Sequence, residues 1–145
     1  MTRPVTIARM NASYGPNGGL PTYHLDTMVA GQPVVVRHDP CPYSVIHQTD
    51  INQQTEALLG AATVPATIVN WGGDELVSPQ EWCALFGELT GRTPEVVVVP
   101  QPGSMLGNVL EATKRLGFTG PCTVDWRTGM SALVAERHPE ALVSN

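Results

Sequence analysis

Apolar residues in this chain fall into short β-branched runs that alternate with segments of helical spacing, a pattern that predicts an α/β fold. The first run, Val5-Thr6-Ile7-Ala8, reads as a buried strand. It empties into residues 9–19, Arg-Met-Asn-Ala-Ser-Tyr-Gly-Pro-Asn-Gly-Gly, a loop whose glycines permit positive φ or a close approach of the backbone. Residues 22–30 carry Leu25, Met28 and Val29 at helical spacing, and Gly31 stops them. Pro33-Val34-Val35-Val36 is a further strand, residues 37–42 hold two prolines and form a loop, and Tyr43-Ser44-Val45-Ile46 is a short extended run. The next helix is capped by Thr49 or Asp50 and turns Ile51, Thr55, Leu58, Leu59 and Ala62 towards the core.

The second half repeats the design. Ala66-Thr67-Ile68-Val69-Asn70 reads as a strand that empties into Trp71-Gly72-Gly73. Ligands of open α/β sheets sit beyond the carboxyl ends of strands, so the two glycine loops point to one crevice. Ser78-Pro79-Gln80-Glu81 is a capping box with proline at the first helical position. The helix it opens carries Trp82, Leu85, Phe86 and Leu89 on one stripe and closes at Gly91. Glu95-Val96-Val97-Val98-Val99 is another strand, and residues 109–116 and 128–137 are helices, the second capped by Asp125 or Thr128 and stopped before Pro139. No repeat or linker divides the chain, so residues 1–145 are expected to form one unit whose last few residues fray.

Composition narrows the partners. At 145 residues, with 42% of them hydrophobic, the chain has the size and apolar content of one domain with a real core. A net charge of -5, with seven arginines and one lysine scattered along the chain in no basic run, argues against a nucleic acid or an anionic membrane. A small molecule or another protein chain is the expected partner. No apolar stretch approaches the roughly 20 residues of a bilayer span, and the opening Thr-Arg-Pro does not begin a signal peptide, so a cytoplasmic protein is expected. Cys41, Cys83 and Cys122 show no Cys-x-x-Cys spacing and read as reduced packing residues.

Three motifs then carry a resemblance. Arg9-x-x-x-x-Tyr14-Gly15-Pro16, Tyr43-Ser44-Val45-Ile46-His47-x-x-Asp50 and Asn70-Trp71-Gly72-Gly73-Asp74-x-x-Val77-Ser78-x-x-Glu81 occur in this order, followed by an apolar segment at 110–116 and Gly117-Phe118. Together they resemble the C-terminal half of an extended short-chain dehydrogenase/reductase, the NAD-dependent epimerase/dehydratase family. The resemblance covers nearly the whole chain. It implies a Rossmann-type fold in which the Val5 and Ile68 strands complete a nucleotide-binding sheet while the rest forms a substrate-binding lobe. It further implies oxidation, reduction, epimerisation or dehydration at a carbinol centre, often of a nucleotide sugar, by hydride exchange with NAD or NADP. Carried onto this sequence, Met10 and Asn11 border the cofactor, and Ala12, Tyr14, Arg37, Tyr43, His47 and Trp71 belong to the substrate side.

What that chemistry needs is only partly present. A Gly-rich turn that opens a helix holds the dinucleotide pyrophosphate, and a Tyr with a Lys four residues on supplies a phenol of lowered pKa as base. The single lysine, Lys114, follows Leu110 at that spacing, and neither Gly-x-Gly-x-x-Gly nor Gly-x-x-Gly-x-x-Gly occurs. The chain by itself is therefore expected neither to hold the dinucleotide nor to contain a catalytic residue, as half of an enzyme whose cofactor half lies elsewhere. The resemblance also places a substrate-binding Asn where Ala12 stands, with Asn11 displaced by one, and a diphosphate-gripping Arg where Tyr43 stands. Without that guanidinium the bidentate phosphate clamp is lost, so a smaller or less charged alcohol or ketone is the better fit unless Arg37 reaches in from the neighbouring loop.

Other constellations add little. His38, Cys41 and His47, with Asp39 and Asp50, are zinc-ligand types at no usual ligand spacing, so no metal site is expected. Gly103-Ser104-Met105-Leu106-Gly107 sets its glycines one place too far apart for a nucleophile elbow. His47 either takes part in a pocket or caps the helix after it, and Trp71 either walls a pocket or packs in the core. The Val5 and Ile68 strands, lacking their covering half, would expose edges and an apolar face, which calls for a cofactor-binding companion or a second copy. Two classes follow from the residues: the substrate half of an NAD(P)-dependent enzyme, or a non-catalytic small-ligand binding or assembly module.

Overall fold

The computed structural model describes residues 3–39, 41–102 and 111–144. Strand β1 (Thr6–Met10) leads into a small hairpin, β2 (Ser13–Gly15) and β3 (Gly18–Gly19), and then helix α1 (Leu20–Val29). β4 (Val34–Val36), β5 (Tyr43–Ser44) and β6 (Ile46–His47) precede α2 (Gln48–Gly60). β7 (Thr67–Trp71), β8 (Leu76–Val77), α3 (Pro79–Thr90), β9 (Val96–Val98), α4 (Thr113–Thr119) and α5 (Trp126–Arg137) complete the order, with a 3-10 turn at Pro139–Ala141. The fold is α/β, as the alternating pattern predicts. No described helix is long and apolar enough to cross a membrane.

β1 and β7 pair in parallel, Ile7 opposite Ile68 and Met10 opposite Trp71, so their carboxyl ends lie side by side. The ladder continues one step into the loop, where the Asn11 N–H donates to the Trp71 carbonyl at 2.8 Å. The predicted convergence of the two glycine loops is thus a consequence of register. One face of this ribbon meets α2, where Thr6 Oγ1 donates to the Leu58 carbonyl at 2.6 Å. On the other face Val5, Ile7 and Ile68 remain 45%, 46% and 43% exposed, because none of the described helices covers them.

The core lies in the lobe. α1, α3 and α5 pack on one another and enclose Leu25, Met28, Trp82, Phe86, Met130, Leu133 and Val134, which all but leave solvent. Burying each large side chain of this kind contributes about 1.5–3 kcal/mol. The capping box at Ser78 forms as predicted, with Ser78 Oγ accepting from the Glu81 N–H and Glu81 Oε2 from the Ser78 N–H. Gly91 ends α3 in the left-handed region at φ 66°.

Several expectations change. Residues 9–19 hold the β2/β3 hairpin and are more than a loop, and α1 begins two residues early, at Leu20. The cap of α2 is His47, whose Nδ1 accepts from the Thr49 N–H at 3.1 Å, in place of Thr49 or Asp50. The buried face of α2 is Asp50, Gln54 and Leu58, while Leu59 is 70% exposed and Thr55 lies open. Polar residues turn inwards there because Asp50 accepts from the backbone of residues 123 and 124 and Gln54 bonds the Trp71 and Cys122 side chains, partners that apolar spacing does not register. Of the two offered caps, Asp125 closes α5, accepting from the Thr128 N–H at 3.0 Å. The helix expected at 109–116 is observed as Thr113–Thr119; residues 109–110, and the 103–107 segment weighed as an elbow, lie outside the described residues. The C-terminal stretch is tied down by the Val143 N–H, which donates to the Leu89 carbonyl at 3.0 Å.

Gly73 packs so closely against β5 and β6 that a Cβ would fall on the Val45 carbonyl, whereas a Cβ on Gly60 meets nothing within 4 Å. Gly73→Ala is therefore expected to destabilise the chain by about 2 kcal/mol or more. Gly60→Ala, in a helix, is expected to stabilise it by about 0.5 kcal/mol. Urea denaturation of the two variants checks the contrast.

Candidate functional site

The carboxyl end of β1 forms one wall of a cavity of about 290 Å³ lined by Met10, Asn11, Ala12, Ser13, Gly19, Leu20 and Tyr43. The wall is held by hydrogen bonds: Asn11 Oδ1 accepts from the Ser44 N–H at 2.9 Å, and the Ala12 carbonyl from the Ile46 N–H at 3.0 Å. On the far side, Thr22 Oγ1 lies 2.8 Å from the Gly15 carbonyl and 3.0 Å from that of Gly18, which closes the hairpin over α1. Gly19, at φ 115°, crosses Ser13 and Tyr14 so closely that no side chain fits there.

A second cavity, about 330 Å³, adjoins it and is lined by Leu20, His24, Val35, Val36, Arg37, Tyr43 and Pro79. Leu20 and Tyr43 line both, so the Tyr43 side chain stands between the two chambers. Behind it, Trp82 is a buried platform, its ring centroid 5.9 Å from that of Tyr43 and 5.6 Å from that of His24. Trp82 Nε1–H donates to His24 Nδ1 at 3.0 Å. The indole is a donor only, so this bond puts the proton of the neutral imidazole on Nε2.

Burial decides the protonation states. Desolvation pushes the Tyr43 phenol up to about 12, with its neighbour Cys41 adding to the rise and the charge of Arg37 opposing it. Desolvation also lowers His24 to about 4. Near neutral pH these two groups are an O–H and a neutral N–H donor; the arrangement binds and orients, and neither takes up a proton.

The site residues expected from the sequence separate into two sets. Met10, Asn11, Ala12, Tyr43 and Arg37 come together around the two chambers. Tyr14, His47 and Trp71 line neither. Tyr14 is 2% exposed, its hydroxyl lies close to Gly129 of α5, and its ring meets His47 edge-on at 5.1 Å. Desolvation first, then the charges of Asp125, Glu75 and Asp50, keep its phenol protonated. His47 spends its Nδ1 on the α2 cap, and burial lowers its pKa. Trp71 Nε1–H donates to Gln54 Oε1 at 2.9 Å, and the ring borders a small groove with Thr6, Ala8 and Leu58. Among the described residues no three His, Cys, Asp or Glu side chains gather as metal ligands.

Sequence reasoning missed His24 and Leu20, whose signal is the i, i+4 spacing that sets both on one face of α1. It also missed what Asp74 and Asp50 do. Asp74 ends the second glycine loop; it forms an ion pair with the fully buried Arg115 and accepts from the Cys122 N–H at 2.7 Å. Arg115 also donates to Thr119 Oγ1 at 2.8 Å and the Gly120 carbonyl at 3.1 Å. Asp50 accepts from the Thr123 N–H at 2.7 Å and the Val124 N–H at 3.0 Å. Together the two carboxylates seat residues 119–124, and so the start of α5 behind Tyr14. At the other end of α5, Arg137 grips Asp26 of α1 with Nε and Nη2, each at 2.7 Å, and its Nη1 donates to the Pro16 carbonyl at 2.6 Å.

No family model matches the chain, and no curated protein matches it in sequence. Solved structures do match in fold. UDP-glucuronic acid 4-epimerase from Bacillus cereus, in complex with UDP-glucuronic acid and NAD, superposes with a TM-score of 0.79 at 18% identity, covering 94% of this chain and 46% of its own. The enzyme WbmG of Bordetella bronchiseptica, in complex with NAD, gives a TM-score of 0.76 at 20% identity, covering 95% of this chain and 44% of its own. UDP-glucose 4-epimerase of Thermus thermophilus, also with NAD, gives 0.70 at 22% identity, with 90% and 45% covered. The α/β fold of this chain is therefore the one these structures share over the matched part. The chain spans about half the length of these structures.

Two predictions follow from the polar clamps. Asp74→Ala leaves a buried guanidinium without its counter-charge and is expected to cost about 3 kcal/mol in urea denaturation, most of it regained when Arg115→Met is added. The Asp26 carboxyl is held below its usual range, first by the Arg137 hydrogen bond and also by that from His138. A carboxyl with a depressed folded pKa stabilises above its ordinary value near about 4 and loses that contribution as pH falls through the folded value. Thermal melts from pH 7 to pH 2 are expected to show a steeper acid limb for the native chain than for Asp26→Asn.

Proposed function

We propose that this chain is the substrate-binding half of an NAD(P)-dependent enzyme of the epimerase/dehydratase type, acting on a sugar-like substrate or a small alcohol or ketone. The observation that carries this is the cavity at the carboxyl end of β1 with the chamber between α1 and β4 that adjoins it, on a fold shared with two epimerases whose structures hold NAD and, in one of them, a UDP sugar. In this reading residues 1–145 comprise a substrate lobe and the last strands of a nucleotide-binding sheet. Met10 and Asn11 border the cofactor, Ala12, Tyr43 and Arg37 line the substrate chamber, and Tyr14, His47 and Trp71 support it from behind.

The chain's own residues do not fit the cofactor's pyrophosphate. Gly18 and Gly19 pair with β2 and turn the hairpin, and α1 opens with Pro21 in its first turn, where a phosphate-binding helix offers backbone N–H groups. Hydride chemistry is accordingly assigned to a companion half that supplies the Gly-rich turn and the Tyr-x-x-x-Lys base. The open face of Val5, Ile7 and Ile68 is where such a half, or a second copy in its absence, would cover the ribbon.

A second reading, a binding module without chemistry, is favoured by a different observation: the lobe core and both chambers are built from this chain alone. The test is the DNA upstream of Met1 together with the behaviour of its product. An in-frame or adjoining segment encoding the Gly-rich turn and Tyr-x-x-x-Lys is expected; its product with this chain should bind NADH, read by fluorescence, while the chain alone binds none and self-associates on sizing. A monomeric, cooperatively melting chain with no such segment beside it overturns the enzyme reading and leaves the binding module.

A further inference from the structure

The chamber between α1 and β4 has a chemical bias that the fold does not require. Its polar side chains are His24, Arg37 and Tyr43; the others, Leu20, Val35, Val36 and Pro79, are apolar, so no carboxylate lines it. Each of the three polar groups is available as a donor. His24 Nδ1 is occupied by Trp82, which leaves the Nε2–H for the chamber. The Tyr43 phenol keeps its proton, and Cys41 Sγ, 3.5 Å from its oxygen, is a weak partner that leaves the O–H able to turn to a ligand. Arg37 ends β4 on the exposed rim, within electrostatic reach of Tyr43, and no described carboxylate pairs with it.

Resting on the enzyme reading above, we infer that this chamber holds the carboxylate of a hydroxy-acid substrate, with Arg37 pairing the charge and the His24 Nε2–H and Tyr43 O–H donating to the oxygens. Charge balance selects the carboxylate. One guanidinium complements one negative charge, and a planar carboxylate accepts its paired N–H donors in register. A diphosphate would bring at least two charges to the same single cation. His24 adds no second charge near neutral pH, since burial against Trp82 holds the imidazole neutral. Because Tyr43 also lines the first chamber, a substrate whose acid group sits by Arg37 extends past Tyr43 towards Ala12 and Met10, where its carbinol carbon would meet the cofactor side. The substrate class is then a sugar acid or similar hydroxy acid.

The experiment is a titration of the full chain by calorimetry with gluconate, sorbitol and glucose 6-phosphate, alongside ¹⁵N spectra of the histidine side chains. Gluconate is expected to bind at least about tenfold more tightly than sorbitol or glucose 6-phosphate, a difference of about 1.4 kcal/mol. Arg37→Gln, a change at an exposed residue, should erase that preference, and Tyr43→Phe should weaken gluconate about three- to tenfold. The His24 spectrum should show the Nε2–H tautomer and shift on adding gluconate. Equal binding of gluconate and sorbitol, tighter binding of the phosphate ester, an Arg37→Gln chain that keeps its preference, or no binding of gluconate overturns the proposal. The titration needs neither cofactor nor turnover, so its failure and the failure of the enzyme reading are distinguishable. Gluconate binding without any NAD-binding companion retains the carboxylate site while the enzyme reading fails, and turnover of an uncharged sugar by the whole enzyme does the reverse.

Discussion

Arg115 is out of water, and a guanidinium in that state must be paired, so the place of Asp74 at the end of the second glycine loop is an electrostatic requirement. Much else follows from it. Asp74 can reach Arg115 only because Gly73 lets the loop press against the Val45 carbonyl, where a Cβ would collide. With Asp50 it then seats residues 122–124 through their backbone N–H groups, and the next residue, Asp125, caps α5. α5 carries Gly129, the one residue small enough to lie against the Tyr14 hydroxyl. A charge pair on one side of the molecule thereby sets the depth at which β2 and the hairpin sit beneath the site.

The chain is divided between two kinds of packing. In the lobe, apolar stripes of α1, α3 and α5 meet and leave little exposed, and Trp82 serves both as core and as the platform behind His24 and Tyr43. In the β1/β7 ribbon α2 and α4 pack against the strands, while Ile7 and Ile68 stay open opposite each other. The site lies where these parts meet, at the strand ends, with a wall from the ribbon, a floor from the lobe and Tyr43 between them.

Local chemistry was enough to read the strands, the Ser78 capping box, the Gly91 stop and the adjacency of the two glycine loops, since each depends on neighbours in sequence: a period, a cap, a residue with no Cβ. The family resemblance, carried onto residue numbers, named Met10, Asn11, Ala12, Arg37 and Tyr43, which lie around the two chambers. What only the tertiary structure decided are the contacts of long range. Tyr14 is a core phenol because α5, over a hundred residues on, closes over it, and Trp71 is turned away by Gln54. α2 buries Asp50 and Gln54 in preference to Leu59 because the carboxylate meets unpaired backbone N–H groups of a distant loop, an energy no hydrophobic period encodes. His24 gains its fixed tautomer the same way, from an indole 58 positions away. The sequence by itself determined the longer strands and most helices, with the cap and stop of α3; the β2/β3 hairpin, the bounds of α1 and α4, the α2 cap and which side chains face the site depended on partners that only folding brings within bonding distance.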